Sequence, residues 1–68
     1  MHIGQHIKEV MKERKMTAVA VAKEINCERT NLYNIFARKD INTELLIKLS
    51  HVLNHDFFKD LSKETFGK

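Results

Sequence analysis

The chain has 68 residues, of which 43% are hydrophobic and 31% are charged, and its formal net charge is +3. This composition is typical of a folded domain, and the length allows one domain with a small core. No apolar run approaches the roughly 18 residues of a membrane span. The lone cysteine, Cys27, excludes an internal disulfide. Because the N-terminus lacks a signal-peptide pattern, we expect a cytoplasmic protein.

The positive charge is unevenly distributed. Residues 1–42 contain eight Lys or Arg and five Asp or Glu, a balance of +3, whereas residues 43–68 contain four of each kind. A basic N-terminal part is suited to binding a polyanion. On charge alone, an ordinary solvated surface is an equally good interpretation.

Helical periodicity begins near the N-terminus. The first helix is predicted from about residue 3 to residue 15, because its apolar residues recur on one face: Ile3, Ile7, Val10 and Met11. Thr17 is a suitable N-cap for a short second helix over about residues 18–25. Asn26 follows where a left-handed residue is often needed, so it is predicted to end that helix.

Three further helices are predicted in the second half of the chain. The third covers about residues 29–37, the fourth is capped by Asn42 or Thr43 and ends at Asn54, and the fifth is capped by Asp56. No alternating β pattern occurs. The prediction is an all-α, compact bundle of five short helices in one domain, residues 1–68. Its core spans about 3–61, and residues 62–68 lack periodicity and are expected to fray.

The second and third helices form the informative pair. Their tight link and small crossing residue, Ala22, are typical of a helix-turn-helix, which presents its second helix to the major groove of DNA. The apolar positions that hold the pair together are Val21, Ala22, Ile25, Leu32 and Ile35. The outward residues of the third helix are Arg29, Thr30, Tyr33 and Asn34.

With these pieces in order, the chain resembles the Cro/phage-repressor helix-turn-helix family, also called the xenobiotic-response-element family, over about residues 3–61. The matching pieces are the amphipathic first helix, the Met-Thr entry to the second, Val-Ala-x-x-Ile, Leu-x-x-Ile, Leu-Leu-x-x-Leu and the closing Leu-Asn-His-Asp-Phe. The resemblance implies a lambda-repressor-like domain that binds double-stranded DNA, frequently as a homodimer. It also implies transcriptional regulation, with repression favoured over activation.

The resemblance also implies which residues contact DNA. Base contacts fall on the third helix, at Arg29, Thr30, Tyr33 and Asn34. Arginine can bond both guanine acceptors, and asparagine can bond adenine N6 and N7. Phosphate contacts fall on Thr17, Ala18, Lys23, Arg38, Lys39 and Asn42.

Two positions depart from the family's pattern. Ala18 stands where a phosphate-binding Gln is frequent, which leaves only backbone N–H groups and Thr17. Ala37-Arg38 stands where Asn-Gly is usual. The outer face Ala18-Val19-Ala20 is unusually apolar for a surface that meets DNA.

An alternative function therefore stays open, a protein-interaction module of antitoxin or adaptor type on the same fold. Its interface would be the apolar face of the second helix or the C-terminal aromatics Phe57, Phe58 and Phe66. A third hypothesis is that the 68-residue chain is the DNA-binding part of a longer regulator.

The histidines and the cysteine do not predict a metal site or a catalytic site. Two histidine pairs have helical spacing, His2/His6 and His51/His55, but each pair extends past a predicted helix end and no acid or thiol is expected nearby. No metal site is therefore predicted. Cys27 is interpreted as a small, partly buried apolar residue. Because no nucleophile–base pair, phosphate-binding glycine loop or sizeable pocket is evident, we expect no enzyme activity, cofactor or small-molecule substrate.

Overall fold

The computed structural model describes residues 1–67, and within them the chain forms five α-helices and no β-strand. The helices are α1 (Ile3–Glu13), α2 (Ala18–Glu24), α3 (Arg29–Phe36), α4 (Thr43–Leu53) and α5 (Phe57–Phe66). The predicted all-α fold is confirmed. No helix within residues 1–67 is both long and apolar enough to cross a membrane.

Side chains cap the helix N-termini much as the sequence predicts. The Thr17 hydroxyl accepts a hydrogen bond from the N–H of Ala20, at 3.1 Å, and Asp56 accepts one from Lys59, at 3.0 Å. Of the two candidates for α4, Asn42 is the cap. Each cap satisfies a backbone donor that the helix itself leaves without a partner, so these residues determine where the helices begin.

Left-handed residues end three of the helices. Asn26 (φ 56°) and Asn54 (φ 49°) adopt this conformation, as predicted, after α2 and α4. The prediction that α1 reaches Lys15 is wrong, because α1 stops at Glu13 and Lys15 is itself left-handed (φ 56°). A hydrogen bond from the Met16 N–H to the carbonyl of Met11, at 3.0 Å, closes that turn. This bond offsets the cost of a left-handed lysine, a residue that carries no sequence signal for the conformation.

The inner faces of the helices meet in one core within residues 1–67. It consists of Ile3, Ile7, Val10, Met11, Val21, Ala22, Ile25, Leu32, Ile35, Leu46, Leu49, Leu53 and Phe57. Helix α1 packs against α3 and α4, while α2 packs against α3. The helix-turn-helix pair therefore rests on α1, and the outer face of α3 is left exposed.

Two expectations about the C-terminal part are corrected. Helix α5 continues to Phe66, so the segment from residue 62 is helical rather than frayed over its described part; Lys68 lies outside the described residues. The carboxylate of Glu64 accepts a hydrogen bond from the N-terminal amine of Met1, at 2.6 Å, which ties this segment to the start of α1. Phe57 is fully buried, whereas Phe58 and Phe66 are exposed. Only the latter two are therefore available at the surface.

The left-handed conformation of Asn26 yields a stability prediction. Replacing Asn26 with alanine should destabilise the protein by about 1 kcal/mol, because a Cβ is disfavoured at positive φ and alanine lacks the polar side chain that eases it. Asn26→Gly should be neutral or stabilising. Thermal unfolding followed by circular dichroism measures both, with Asn31→Ala on the exposed side of α3 as the control. Equal stability of the glycine and alanine variants would contradict the prediction.

Candidate nucleic-acid interface

The outer face of α3 carries the residues that were predicted to contact bases. Leu32 and Ile35 are buried against the rest of the fold. The exposed residues are Arg29, Thr30, Tyr33 and Asn34. Residues at positions i, i+1, i+4 and i+5 share one side of a helix. The structure thus brings all four predicted residues together on one polar surface, backed by the core.

Tyr33 is held within this surface by an aromatic neighbour. Its ring makes a T-shaped contact with Phe36, with 5.9 Å between ring centroids, and the residue remains 53% exposed. Such a contact orients the ring without using its hydroxyl group. Tyr33 can therefore pack on its own helix and still present a polar tip to a ligand.

Two exposed residues beside this face were not assigned a role from the sequence. Asn31 lies on one flank of α3, and Glu28 precedes its first turn as the N-cap residue. Within residues 1–67, Glu28 makes no side-chain capping hydrogen bond, so its carboxylate projects without a backbone partner. In the sequence, only the position of Asn31 and Glu28 next to the outward residues of α3 could have drawn attention to them. The family resemblance does not point to either residue.

The polar link between α3 and α4 is anchored by the start of α1. The N–H groups of Ile3 and Gly4 donate to the carbonyls of Lys39 (3.1 Å) and Arg38 (2.9 Å). These are first-turn donors that α1 cannot satisfy internally. The backbone of the link is thereby fixed, while the side chains of Arg38 and Lys39 extend into solvent.

Gly4 makes this anchoring possible. A Cβ atom added at Gly4 would lie 2.3 Å from the carbonyl oxygen of Ile35 and 2.5 Å from that of Phe36. Both are backbone atoms, which cannot move aside independently. Only glycine allows α1 to approach the end of α3 so closely.

The other predicted phosphate ligands lie at helix ends. Asn42 uses its side-chain oxygen to accept the N–H of Leu45, at 2.7 Å, which leaves its amide NH₂ as a donor. Thr17 likewise uses its oxygen as a cap and keeps its O–H as a donor. Ala18 is half-buried, and Lys23 is exposed in the last turn of α2.

Charge on this part of the surface is only mildly positive. Residues 17–42 carry four cations (Lys23, Arg29, Arg38, Lys39) and three acids (Glu24, Glu28, Asp40), a balance of +1. Among residues 1–67, no ion pair involves any of these four cations. Their charge therefore remains available to a polyanion, although the long-range attraction that it supplies is modest.

The apolar surfaces of the alternative interpretation are partly present. Val19 is 56% exposed on α2 and Ala20 is exposed beside it. Phe66 is 83% exposed at the end of α5. Phe57 does not belong to this set because it is part of the core. Cys27 is a partly buried free thiol in the turn between α2 and α3.

A cluster of titratable groups lies away from the outer face of α3. The Nε2 atoms of His6 and His55 lie 2.6 Å and 2.5 Å from the same oxygen, Oδ2 of Asp60. The expectation that no acid lies near the histidines is therefore wrong. Sequence reasoning missed the cluster because it considered pairs at helical spacing, whereas these residues are brought together by tertiary packing.

The two histidines determine the direction of the Asp60 pKa shift. Partial burial acts to raise the pKa of this carboxyl group, but hydrogen bonds from His6 and His55 and their charges lower it below its ordinary value. A lowered pKa means that the contribution of Asp60 to stability is present above its unfolded-state pKa. That contribution is lost as pH falls through the folded-state pKa.

Comparison with known protein families agrees with this geometry. Residues 6–65 match the model of the Cro/C1-type HTH DNA-binding domain, which spans α2, α3 and the link that follows them. No curated protein and no solved structure matched the chain. The matched family is defined by DNA binding and not by catalysis. Because the match covers most of the 68 residues, this chain belongs to the Cro/C1-type helix-turn-helix DNA-binding domains.

Proposed function

We propose that this protein is a sequence-specific regulator of transcription that inserts α3 into the major groove of double-stranded DNA. The observation that carries the proposal is the outer face of α3, where Arg29, Thr30 and Asn34 are exposed directly opposite buried Leu32 and Ile35. A helix held in this way presents hydrogen-bonding side chains on a rigid support. A rigid support is what base recognition in the groove requires.

Arg29 and Asn34 are the main base-reading residues in this proposal. A guanidinium group can donate to both O6 and N7 of guanine, and a carboxamide can pair with N6 and N7 of adenine. Thr30 lies between them on the helix face and can bond a base edge or contact a thymine methyl group. Tyr33 adds a contact at the edge of the groove.

Phosphate contacts would hold α3 in register. The link residues Arg38 and Lys39 supply charge from a backbone that α1 anchors. Asn42 and Thr17 supply neutral donors at the starts of α4 and α2, and the first-turn N–H of Ala18 is a further donor. Lys23 extends this set along α2. The contacts provide affinity that depends on salt and little on sequence.

We further propose that two copies bind one operator. Helix-turn-helix dimers occupy half-sites about 34–36 Å apart on one side of the duplex. The described chain measures 36 × 20 × 19 Å, so a second copy can be accommodated one helical turn away. Repression is the favoured outcome, because occupying a promoter excludes other proteins and needs no additional activating surface.

Selection from a randomised duplex pool, followed by fluorescence anisotropy, tests this function. A preferred site should emerge, and Arg29→Ala and Asn34→Ala should each weaken binding by about 1–3 kcal/mol and relax the preference at one position. Affinity should also fall steeply between about 50 and 200 mM salt. Lys63→Ala, which removes an exposed charge from α5, is the control and should change little.

Failure to bind any duplex at low salt would overturn the proposal, provided that circular dichroism shows folded protein at concentrations that allow dimerisation. The second candidate is then a protein-interaction module, favoured by the exposure of Val19 and Ala20 on α2. An apolar interface of that kind would be insensitive to salt, which distinguishes it from DNA binding.

A further inference from the structure

The His6–His55–Asp60 cluster joins α1 to the start of α5, which is far away in the sequence. His6 belongs to α1, His55 to the link between α4 and α5, and Asp60 to the first turn of α5. One potential ligand atom from each residue, an imidazole nitrogen or a carboxylate oxygen, lies within 4.8 Å of the other two. None of the three residues belongs to the proposed DNA-binding surface.

The fold holds both imidazole rings in place. Phe57 is fully buried, and its ring lies against the rings of His6 and His55 at centroid distances of 5.6 Å and 4.7 Å. The left-handed Asn54 turns the chain after α4, and the His55 N–H donates to the Ser50 carbonyl at 3.0 Å. Ring position is therefore set by the core and by the backbone rather than by the exposed surface.

We propose that His6, His55 and Asp60 form a binding site for a divalent transition-metal ion of the zinc type. Imidazole nitrogen and carboxylate oxygen are both ligands of Zn²⁺. Ca²⁺ and Mg²⁺ are poorer candidates, because they prefer sites made only of oxygen. Three protein ligands leave a fourth position for water, and the side chains are 23–28% exposed, so solvent and ions can reach them.

The adjustment required between Asp60 and the two rings is small. Bonds of about 2.0–2.1 Å at tetrahedral angles place ligand atoms roughly 3.3 Å apart. The nitrogen-to-oxygen distances are 2.6 Å and 2.5 Å, so the Asp60 carboxylate must move away from each ring by less than about 1 Å. The bound ion would replace the two N–H protons that now point at Oδ2. Each neutral ring would bind the ion through Nε2 and carry its single proton on Nδ1, so binding shifts the tautomer and releases no proton from the ring.

A metal ion at this site would fasten α5 to α1. Since the start of α1 also anchors the link that carries Arg38 and Lys39, the ion would stabilise the whole described fold. Binding to the native state alone raises stability as the free ion concentration exceeds the dissociation constant. At about 100-fold excess over that constant, the melting temperature should rise by roughly 10–20 °C.

Calorimetric titration of the full chain with Zn²⁺, after removal of metal with EDTA, tests the proposal. Wild type should bind one ion per chain. Asp60→Asn and His55→Gln should each lose at least about tenfold in affinity, because each removes one ligand. The matched control is His51→Gln, the same change at an exposed histidine outside the cluster, and Cys27→Ser controls for the thiol. Both controls should bind as wild type does.

A measurement on unaltered protein covers the case in which the cluster variants do not fold. Addition of paramagnetic Co²⁺ should broaden the ring NMR signals of His6 and His55 more strongly than those of His51. No Zn²⁺ binding by wild type up to about millimolar concentration would overturn the proposal, because structural zinc binds far more tightly. Equal affinity in Asp60→Asn, or broadening confined to His2 and His51, would also overturn it.

Discussion

Leu32→Ala is expected to remove most of the free energy that keeps this protein folded. Leu32 is fully buried on α3, the helix that packs against both α1 and α2. Truncating a buried leucine to alanine costs about 2–5 kcal/mol, because apolar contacts are lost and a cavity remains. A core in a chain of this size supplies only about 3–5 kcal/mol of net stability. The substitution therefore removes most of the free energy of unfolding.

Urea unfolding monitored by far-ultraviolet circular dichroism measures this loss. The matched control is Ile47→Ala, which truncates an aliphatic residue that is 44% exposed on α4 and should cost far less. A midpoint for Leu32→Ala close to that of wild type would show that α3 does not depend on this contact. The proposed rigid presentation of Arg29 and Asn34 would then lose its support.

Gly4→Ala is the second substitution with a large expected effect, and its sign is the reverse of the usual one. Alanine in place of a helical glycine ordinarily stabilises by about 0.5–1 kcal/mol. Here the added Cβ would approach three backbone carbonyl oxygens, at 2.3 Å from Ile35, 2.5 Å from Phe36 and 2.7 Å from Arg38. We expect a net destabilisation of about 1–3 kcal/mol or more, since the backbone itself must shift.

The same substitution should weaken DNA binding beyond its effect on stability. Displacing α1 breaks the hydrogen bonds from Ile3 and Gly4 to the link, so Arg38 and Lys39 lose their fixed backbone. Anisotropy under conditions in which the variant is folded should show lower affinity and a shallower salt dependence. Gln5→Ala, at the exposed neighbouring position, is the control. An unchanged salt dependence in folded Gly4→Ala would contradict a phosphate-binding role for the link.

The contacts made by Gly4 explain why sequence reasoning had no account of this residue. A glycine near the start of a helix has several ordinary explanations, and the sequence does not say which backbone approaches it. The relevant atoms belong to residues 35–38, more than thirty positions away. The resemblance to a known family identified the neighbouring Arg38 but not what holds it.

In the C-terminal part, too, the sequence predicted local interactions but not the packing of one helix on another. Asp56 was predictable as a cap because capping is a local interaction across three residues. The burial of Phe57 and the exposure of Phe58 were not predictable, since both are aromatic and adjacent, and only the packing of α5 distinguishes them. The prediction that helical structure ends near residue 62 failed because apolar periodicity is not required to extend a helix that is already formed.

The sequence by itself determined the five helices, the caps Thr17 and Asp56, the left-handed Asn26 and Asn54, and the outward set on α3. All of these follow from interactions within four residues or one helical period. Only the tertiary structure decided which backbone lies against Gly4 and that His6, His55 and Asp60 meet. The left-handed end of α1 at Lys15 was likewise visible only in the fold. Contacts between distant segments depend on how the helices pack against one another. The pattern of apolar and polar residues along the chain does not specify which distant residues that packing brings together.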